Sequence, residues 1–328
     1  MDELLVVSAP PHIHSNLSTN RAVYAVCLGL VPSMVFGILN FGTYAFLIVF
    51  LSVISSTTSE AVFEYLAGKK ITISDGTAIL TGLLLAMSLP PGVPLWVPII
   101  GSGFAIILVK QVFGGLGFNY LNPALAARAF LTLSFPQIMN TAWRTPSYGS
   151  FSGIDTISQA TPLTILKNPA YYGNTETIIN RFNSPDFLRT LFSGMIGGSI
   201  GETCKIALII GGLALLFLKI IDYRIVSGYI VGFLLLNFVM PNSINPIFQL
   251  FTGGVLIAIF FMATDWVTTP ITKNGRWIFG VGCGILTTIF RHYSHYPEGV
   301  TPAILLMNLI TPLIDKLTNR RLWQPKIK

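Results

Sequence analysis

The stretch GTAILTGLLLAMSLPPG, residues 76–92, indicates the fold class. It is apolar as far as Leu89 and then meets Pro90 and Pro91, which cannot continue a helix. A straight helix of this length is too short to cross a hydrocarbon core of about 30 Å. Short apolar segments interrupted by Gly and Pro predict broken helices or half-helices, which lie at membrane depth only when they are buried in protein or line a cavity.

The rest of the chain is also apolar. Hydrophobic residues make up 52% of the 328 positions and charged residues only 10%, and the mean hydropathy is +0.68. A soluble domain carries a charge at about a quarter of its positions, so this chain lacks the polar surface to cover itself in water. We predict an all-α polytopic membrane protein with about ten spans, at residues 22–39, 44–67, 76–89, 95–113, 119–136, 192–220, 225–240, 246–264, 277–290 and 300–315.

The two halves of the chain resemble each other. Leu80-Thr81-Gly82 resembles Phe251-Thr252-Gly253, and Asn122-Pro123-Ala124 resembles Thr301-Pro302-Ala303. Five spans in each half would make the repeats inverted, an arrangement that builds cavities near the bilayer midplane; the alternative is chance similarity of apolar sequence. The predicted divisions are an N-terminal segment (1–21), a first five-helix repeat (22–136), a loop (137–191), a second five-helix repeat (192–315) and a basic tail (316–328).

The net charge of +7 is a topology signal. Lys and Arg fall at the ends of the apolar spans, which argues against nucleic acid as a partner. With a cytoplasmic N-terminus, thirteen basic residues lie on the inner side and five on the outer side. Both termini are therefore predicted to be cytoplasmic and the loop 137–191 extracytoplasmic.

Charged residues inside spans are candidates for function, because a charge in the bilayer needs a partner, a cofactor or an aqueous path. Arg128 and Lys205 are the two basic residues placed within spans. Lys205 follows Glu202 by three positions, so the two side chains are predicted to neutralise each other. Arg128 has no such neighbour in sequence.

Glu60 and Glu64 lie on one helix face. They could serve an ion path, or lie at the cytoplasmic membrane surface beside Lys69 and Lys70, and the second interpretation is favoured.

Other motifs in the sequence give weaker evidence for a functional site. His12 and His14 could bind a metal but lack a third nearby ligand, and a cytoplasmic docking segment is favoured. The three cysteines have no CxxC spacing, so we predict no iron–sulfur or zinc site on this chain. Neither a Ser-His-Asp order nor a hydrolytic carboxylate pair is present, and no catalytic residue is predicted. In GGLGFNYLNPA, Asn122 is predicted to cap a helix that begins at Pro123.

The polar stretch SQATPLT, residues 158–164, lies in the long loop. Taken alone, it predicts a helix start, with Thr161 as the N-cap and Pro162 in the first turn.

Several strings together resemble one known family. They are SAPPHIHSNLST, DGTAILTGLLLAMSLPPGVPLW, GGLGFNYLNPA, SQATPLT, MATDWVTTP and PEGVTPAILLMN, which span nearly the whole chain. The chain resembles the D subunits of Rnf-type ferredoxin:NAD+ oxidoreductase complexes, which are homologous to the B subunit of the Na+-translocating NADH:quinone oxidoreductase. The resemblance implies a urea-transporter-like architecture.

The resemblance implies a covalent flavin. In this family a threonine in a Ser/Thr-Gly-Ala-Thr motif carries FMN through a phosphoester bond. Ser158, Ala160 and Thr161 match that motif, so Thr161 is the implied attachment site. Gln159 stands where the family has glycine, and glutamine reaches glycine's backbone angles only at a cost.

The resemblance also implies the function and the partners. The subunit would carry electrons across the bacterial cytoplasmic membrane between ferredoxin and NAD+, coupled to Na+ or H+ translocation. Its partners would be an outer-face flavin subunit, iron–sulfur subunits, a cytoplasmic NAD+-reducing flavin subunit and membrane lipid. A non-covalent riboflavin is implied between the repeats, and Arg128, Asn119 and Asn122 are predicted flavin contacts, because polar groups within spans need partners.

Two other classes of function fit parts of the sequence. The repeat architecture alone would suit a transporter or channel for a small neutral solute, since fold does not determine function. A purely structural anchor for partner subunits would need no flavin.

Overall fold

The computed structural model describes residues 18–146, 161–167, 175–240, 244–294, 296 and 298–319. The predictions for His12, His14, Ser158, Gln159 and Ala160 lie outside these residues. The described helices are α1 (Thr19–Phe41), α2 (Thr43–Leu66), α3 (Thr77–Ser88), α4 (Trp96–Phe104), α5 (Pro123–Ser134), α6 (Pro136–Thr141), α7 (Pro162–Lys167), α8 (Thr175–Phe182), α9 (Pro185–Ser193), α10 (Lys205–Phe217), α11 (Tyr223–Val239), α12 (Pro246–Phe251), α13 (Val255–Ile257), α14 (Lys273–Tyr293) and α15 (Val300–Thr318). Residues Ala105–Gln111 continue α4 as π-helix and Ala258–Met262 continue α13 in the same way.

Long and short apolar helices alternate along the chain. Among the described residues, α1, α2 and α15 are long and apolar enough to cross a membrane. Shorter apolar segments are Thr77–Ser88, Trp96–Gln111, Lys205–Phe217 and Tyr223–Val239. The expected all-helical membrane protein with broken helices is therefore confirmed.

The ends of the short helices have local causes. α3 stops where Leu89 takes an extended conformation ahead of Pro90. α5 begins at Pro123, and the Asn122 side chain accepts hydrogen bonds from the amides of Ala124 (3.1 Å) and Leu125 (3.3 Å). The predicted cap at Asn122 is thus confirmed.

Two predicted spans are interrupted. Within 192–220, residues 194–204 are not helical, and α10 begins only at Lys205. This segment is held by polar contacts: Ser33 of α1 donates to the Gly201 carbonyl (2.6 Å) and Asn40 to the Gly194 carbonyl (3.1 Å). Within 246–264, α12 and α13 are separated by a break at Thr252–Gly254. Irregular backbone of this kind needs protein partners at membrane depth.

The predicted halves meet at α1 and α10, which pack against each other. A Cβ added to Gly211 of α10 would lie 2.0 Å from the Gly29 carbonyl oxygen of α1, so only glycine permits this approach. The two matched Thr-Gly pairs differ locally, because Gly82 lies inside α3 whereas Gly253 lies at a helix break with a φ of 63°. The division into inverted repeats stays a prediction.

Candidate functional sites

Thr161 caps α7. Its Oγ1 accepts a hydrogen bond from the Thr164 amide (3.3 Å) and lies 2.8 Å from the Thr164 Oγ1. The side chain is buried, with 7% of its surface exposed. The capping role expected from SQATPLT is confirmed, and it places the hydroxyl oxygen at a helix start beside a cavity.

This cavity, the Thr161 cavity, has a volume of about 40 Å³. Its wall comes from α7, from the irregular segment before α10, from the break after α12 and from the loop before α15. The lining residues are Trp143, Thr161, Pro162, Leu163, Leu191, Ile196, Gly197, Gly198, Glu202, Thr203, Lys205, Gly253 and Glu298. Three of them carry a charge.

Five charged side chains form what we name the Thr161 charge cluster: Arg128, Glu202, Lys205, Arg291 and Glu298. Each has at most 9% of its surface exposed except Glu298, whose side chain is 18% exposed. Arg128 of α5 forms an ion pair with Glu298, which also accepts a hydrogen bond from the Gly254 amide (3.0 Å). This ion pair joins the first predicted half to the second.

The other two cations bind backbone carbonyls at the break after α12. Arg291 donates to the Gln249 and Thr252 carbonyls, both at 2.8 Å. Lys205 donates to the Gly253 carbonyl at 3.1 Å. Carbonyls at a helix C-terminus lack intrahelical partners and favour nearby cations. The cluster therefore stabilises the broken backbone.

The expected contact between Glu202 and Lys205 is not a side-chain ion pair. The Lys205 ammonium donates to the backbone carbonyl of Glu202 at 2.5 Å. The Glu202 carboxylate accepts from the Ser199 amide at 2.7 Å through Oε1, and its Oε2 is buried without a hydrogen-bond partner in the described residues. The sequence spacing placed the two residues close together and their charges interact, but the ammonium donates to the Glu202 carbonyl and not to its carboxylate.

A second cavity, the Asn122 cavity, has a volume of about 130 Å³. Asn119 and Asn122 line it together with Lys110 and Asp265. The Asn122 Nδ2 donates to the Met262 carbonyl (3.2 Å), a contact between the predicted halves. The remaining lining residues are Thr19, Ala22, Val23, Val26, Thr77, Leu80, Thr81, Leu84, Leu116, Pro123, Ala124, Ile220, Ile221, Phe261, Thr264, Trp266 and Val267.

A buried ion network supports one wall of the Asn122 cavity. The Lys110 ammonium lies 2.6 Å from the Glu60 Oε1 and donates to Thr77 Oγ1 at 2.5 Å. Gln111 donates to Glu60 (2.7 Å) and to Glu64 (3.2 Å). Glu60 is 0% and Glu64 3% exposed, so both carboxylates are buried in protein, and their favoured placement at the cytoplasmic membrane surface stays a prediction.

Sequence reasoning missed the roles of three residues. Lys110 and Arg291 were counted as exposed topology signals, yet both are buried. Glu298 was not singled out at all. Arg128 was the available signal for it, because an intramembrane cation predicts an acid elsewhere in the chain.

Helix α3 passes both cavities, and its residues from Thr77 to Leu84 line the Asn122 cavity. Thr77, its first residue, lines the Asn122 cavity. Met87, near its last residue, accepts a hydrogen bond from the Gly201 amide (2.8 Å), next to Glu202 of the Thr161 cavity. The structure therefore brings Asn119 and Asn122 together and places Arg128 with Thr161's neighbours instead.

Comparisons with known proteins match the chain over nearly its full length. The NQR2, RnfD, RnfE family matches residues 6–324. The D subunit of the Na+-translocating ferredoxin:NAD+ oxidoreductase complex of Acetobacterium woodii is 42% identical over 326 residues, covering 98% of this chain and 96% of the relative. The D subunit of the proton-translocating ferredoxin:NAD+ oxidoreductase complex of Clostridium ljungdahlii is 43% identical over 321 residues, covering 96% and 95%. The D subunit of the ion-translocating oxidoreductase complex of Escherichia fergusonii is 33% identical over 351 residues, covering 97% of each chain.

Proposed function

This chain belongs to the NQR2, RnfD, RnfE family, and we propose that it is the flavin-carrying membrane subunit of an ion-translocating electron-transfer complex. The complex would move electrons between ferredoxin and NAD+. The printed names of the relatives support this, and they differ in the ion, Na+ for one and H+ for another. The single observation that carries the proposal is a buried threonine hydroxyl beside a cavity lined by a lysine.

We propose that Thr161 carries FMN through a phosphoester bond at Oγ1. An esterified Oγ1 can still accept the hydrogen bond from the Thr164 amide, so attachment does not cost α7 its cap. The Lys205 ammonium of the Thr161 charge cluster lines the cavity beside Thr161, and Arg128 belongs to the same cluster through its ion pair with Glu298. Ser158, Gln159 and Ala160 precede the site in sequence.

We propose that the Asn122 cavity holds a second, non-covalent flavin, riboflavin. Amide side chains suit a neutral ligand with donors and acceptors on one edge. Among the described hydrogen bonds, none uses the Asn119 Oδ1, so that acceptor can receive a ligand N–H or O–H. Asn119 and Asn122 are the proposed contacts.

The flavins supply the electron chemistry, taking up and releasing electrons. The chain holds each flavin in its own cavity and sets the charge around it. Thr161, Asn122 and Lys205 do so from helix N-termini, whereas Glu202 and Glu298 do so from irregular segments.

We propose an orientation in which the Thr161 cavity faces outward. Setting aside the buried Lys110 and Arg291 leaves twelve basic residues on the inner side and four on the outer side. Lys219, exposed, lies beside Ile220 and Ile221 of the Asn122 cavity, which supports a cytoplasmic position for that end. Both termini would be cytoplasmic, and residues 137–191 extracytoplasmic, in a bacterial cytoplasmic membrane.

The proposed partners follow from this orientation. An outer-face flavin subunit would deliver electrons to the flavin on Thr161. Iron–sulfur subunits and a cytoplasmic NAD+-reducing flavin subunit would complete the electron path. The surrounding lipid contacts the exposed apolar faces of α1 and α2.

The test is covalent flavin fluorescence. The chain is produced in cells that contain the flavin transferase, and a denaturing gel is imaged under ultraviolet light. We expect a fluorescent band for the wild type, none for Thr161→Ala, and a retained band for the matched control Thr164→Ala. A wild-type chain without fluorescence would refute the flavoprotein and return the solute transporter as the working hypothesis.

A further inference from the structure

The charges around Thr161 do not balance. The Thr161 charge cluster contains three cations, Arg128, Lys205 and Arg291, and two carboxylates, Glu202 and Glu298. Its formal net charge within the described residues is therefore +1. A buried charge is stabilised chiefly by a partner of opposite sign. The cluster favours one further negative charge.

Lys205 is the cation that lines the cavity without a carboxylate ion pair among the described residues, whereas Arg291, which donates to backbone carbonyls, does not line it. Arg128 is paired with Glu298. The Lys205 ammonium donates to the carbonyls of Glu202 (2.5 Å) and Gly253 (3.1 Å), and no carboxylate of the described residues forms an ion pair with it. The backbone carbonyls accept hydrogen bonds from the ammonium, but they carry no net charge that would neutralise it. An ammonium has three hydrogens, so Lys205 retains one for an acceptor in the cavity that it lines.

We propose that the Thr161 cavity is an anion pocket for the phosphodiester that joins the flavin to Thr161, with the Lys205 ammonium as its counterion. The inference rests on the proposed function. A phosphodiester carries one negative charge, which balances the cluster. The cavity of about 40 Å³ exceeds the roughly 15 Å³ that one water needs. It admits a compact phosphoryl group but not three fused rings, which stay outside it.

The packing of α7 couples Thr161 to Lys205. Leu163, two residues after Thr161, rests on Gly253: a Cβ there would lie 2.4 Å from the Leu163 Cδ1. Gly253 is also the residue whose carbonyl accepts from Lys205. One glycine thus contacts both the helix that begins at Thr161 and the ammonium.

Glu202 lines the same cavity, so an anion bound there meets the negative charge of its carboxylate. Its Oε2 has no hydrogen-bond partner in the described structure. As a carboxylate that oxygen repels a phosphoryl oxygen, whereas glutamine would supply an amide donor at the same place. The pocket therefore predicts that Glu202→Gln binds phosphate at least as tightly as the wild type does.

The first experiment uses inorganic phosphate as the probe. The full chain is produced without the transferase, and its heat-unfolding temperature is measured against phosphate concentration at constant ionic strength. We expect Lys205→Met to need about tenfold more phosphate for the same shift, the loss that removing one hydrogen bond to a charged group causes. Lys273→Met is the matched control, because Lys273 is also the first residue of its helix but is exposed.

The second experiment measures the rise in unfolding temperature on flavin attachment. We expect a smaller rise for Lys205→Met than for wild type and Lys273→Met. The anion pocket is overturned if phosphate raises the unfolding temperature of wild type and Lys205→Met equally. It is also overturned if phosphate protects Glu202→Gln less than wild type, and this second variant keeps the test valid if Lys205→Met fails to fold. A wild-type chain without covalent flavin refutes the proposed function, and the inference with it. If the wild type carries covalent flavin and all variants show the same rise in unfolding temperature, the inference is refuted and the proposed function stands.

Discussion

The walls of the Thr161 cavity and the Asn122 cavity differ in their charge and in the regularity of their backbone. The Thr161 cavity is small, and its wall contains charged side chains contributed by broken backbone on several elements. The Asn122 cavity is about three times larger and is lined by the amide side chains of Asn119 and Asn122. Of its charged residues, Lys110 is paired with Glu60, and Asp265 accepts hydrogen bonds from Val267 and Thr268. The first cavity therefore suits a compact anion, and the second suits a larger neutral ligand.

The largest expected effect is on the ion pair behind the Asn122 cavity. Lys110→Met leaves Glu60, which is 0% exposed, without its counterion. We expect the free energy of unfolding to fall by about 3 to 5 kcal/mol. Chemical unfolding of the detergent-solubilised protein measures this change. Arg189→Ala is the control, because its pair with Asp186 is 84% and 86% exposed and should contribute almost nothing.

The ion pair at the Thr161 cavity should be slightly less sensitive. Arg128→Ala leaves Glu298 unpaired, but that carboxylate is 18% exposed and keeps the Gly254 amide as a donor. We expect a loss of about 3 kcal/mol, with Arg128→Lys restoring part of it. The same unfolding measurement compares the two variants. A larger loss here than at Lys110 would reverse the ranking of the two regions.

A substitution at Asn122 separates ligand binding from helix capping. Asn122→Ala removes a cap worth about 1 kcal/mol and, we expect, the non-covalent flavin. Extracting the purified protein with acid and assaying released riboflavin tests this, and the covalent band should be unchanged. Asn245→Ala is a matched control, since Asn245 caps α12 ahead of Pro246 away from both cavities. Equal riboflavin in both variants would contradict the proposed second site.

The smallest expected effect depends on pH and lies in the loop before α11. Burial raises the pKa of Asp222, but the Arg224 amide and the Arg276 guanidinium (2.5 Å) outweigh it and hold the pKa below its usual range. A carboxyl with a depressed pKa stabilises the fold above about pH 4 and loses that contribution as the pH falls through its folded pKa. Asp222→Asn should therefore lower the unfolding temperature at neutral pH and have a vanishing effect in acid. A pH-independent difference would contradict this assignment.

The helical framework followed from sequence because its causes are local. Pro90 and Pro91 end α3, and Asn122 with Pro123 starts α5, so residue types alone predict those boundaries. The family resemblance was also recognised from short motifs, and the comparisons confirm it.

The charge networks did not follow from sequence, because their partners are distant. Lys110 pairs with Glu60 fifty positions away, and Arg128 with Glu298 across 170. Charge counting treats Lys110 as a membrane-flanking residue, although burial and pairing remove it from the surface. The backbone break at Gly253 was equally hidden, since Thr252-Gly253 has the same letters as Thr81-Gly82 inside α3.

Helix α3 lines the Asn122 cavity with its first two turns and ends beside the segment that contributes Glu202 to the Thr161 cavity. It is a single uninterrupted helix of 12 residues, with ten of them buried, so its length cannot change unless its hydrogen bonds break. Adding one residue would lengthen α3 by about 1.5 Å and rotate one end by about 100° relative to the other. Such an insertion would therefore turn the residues that line the Asn122 cavity away from it, or break the contact between Met87 and Gly201.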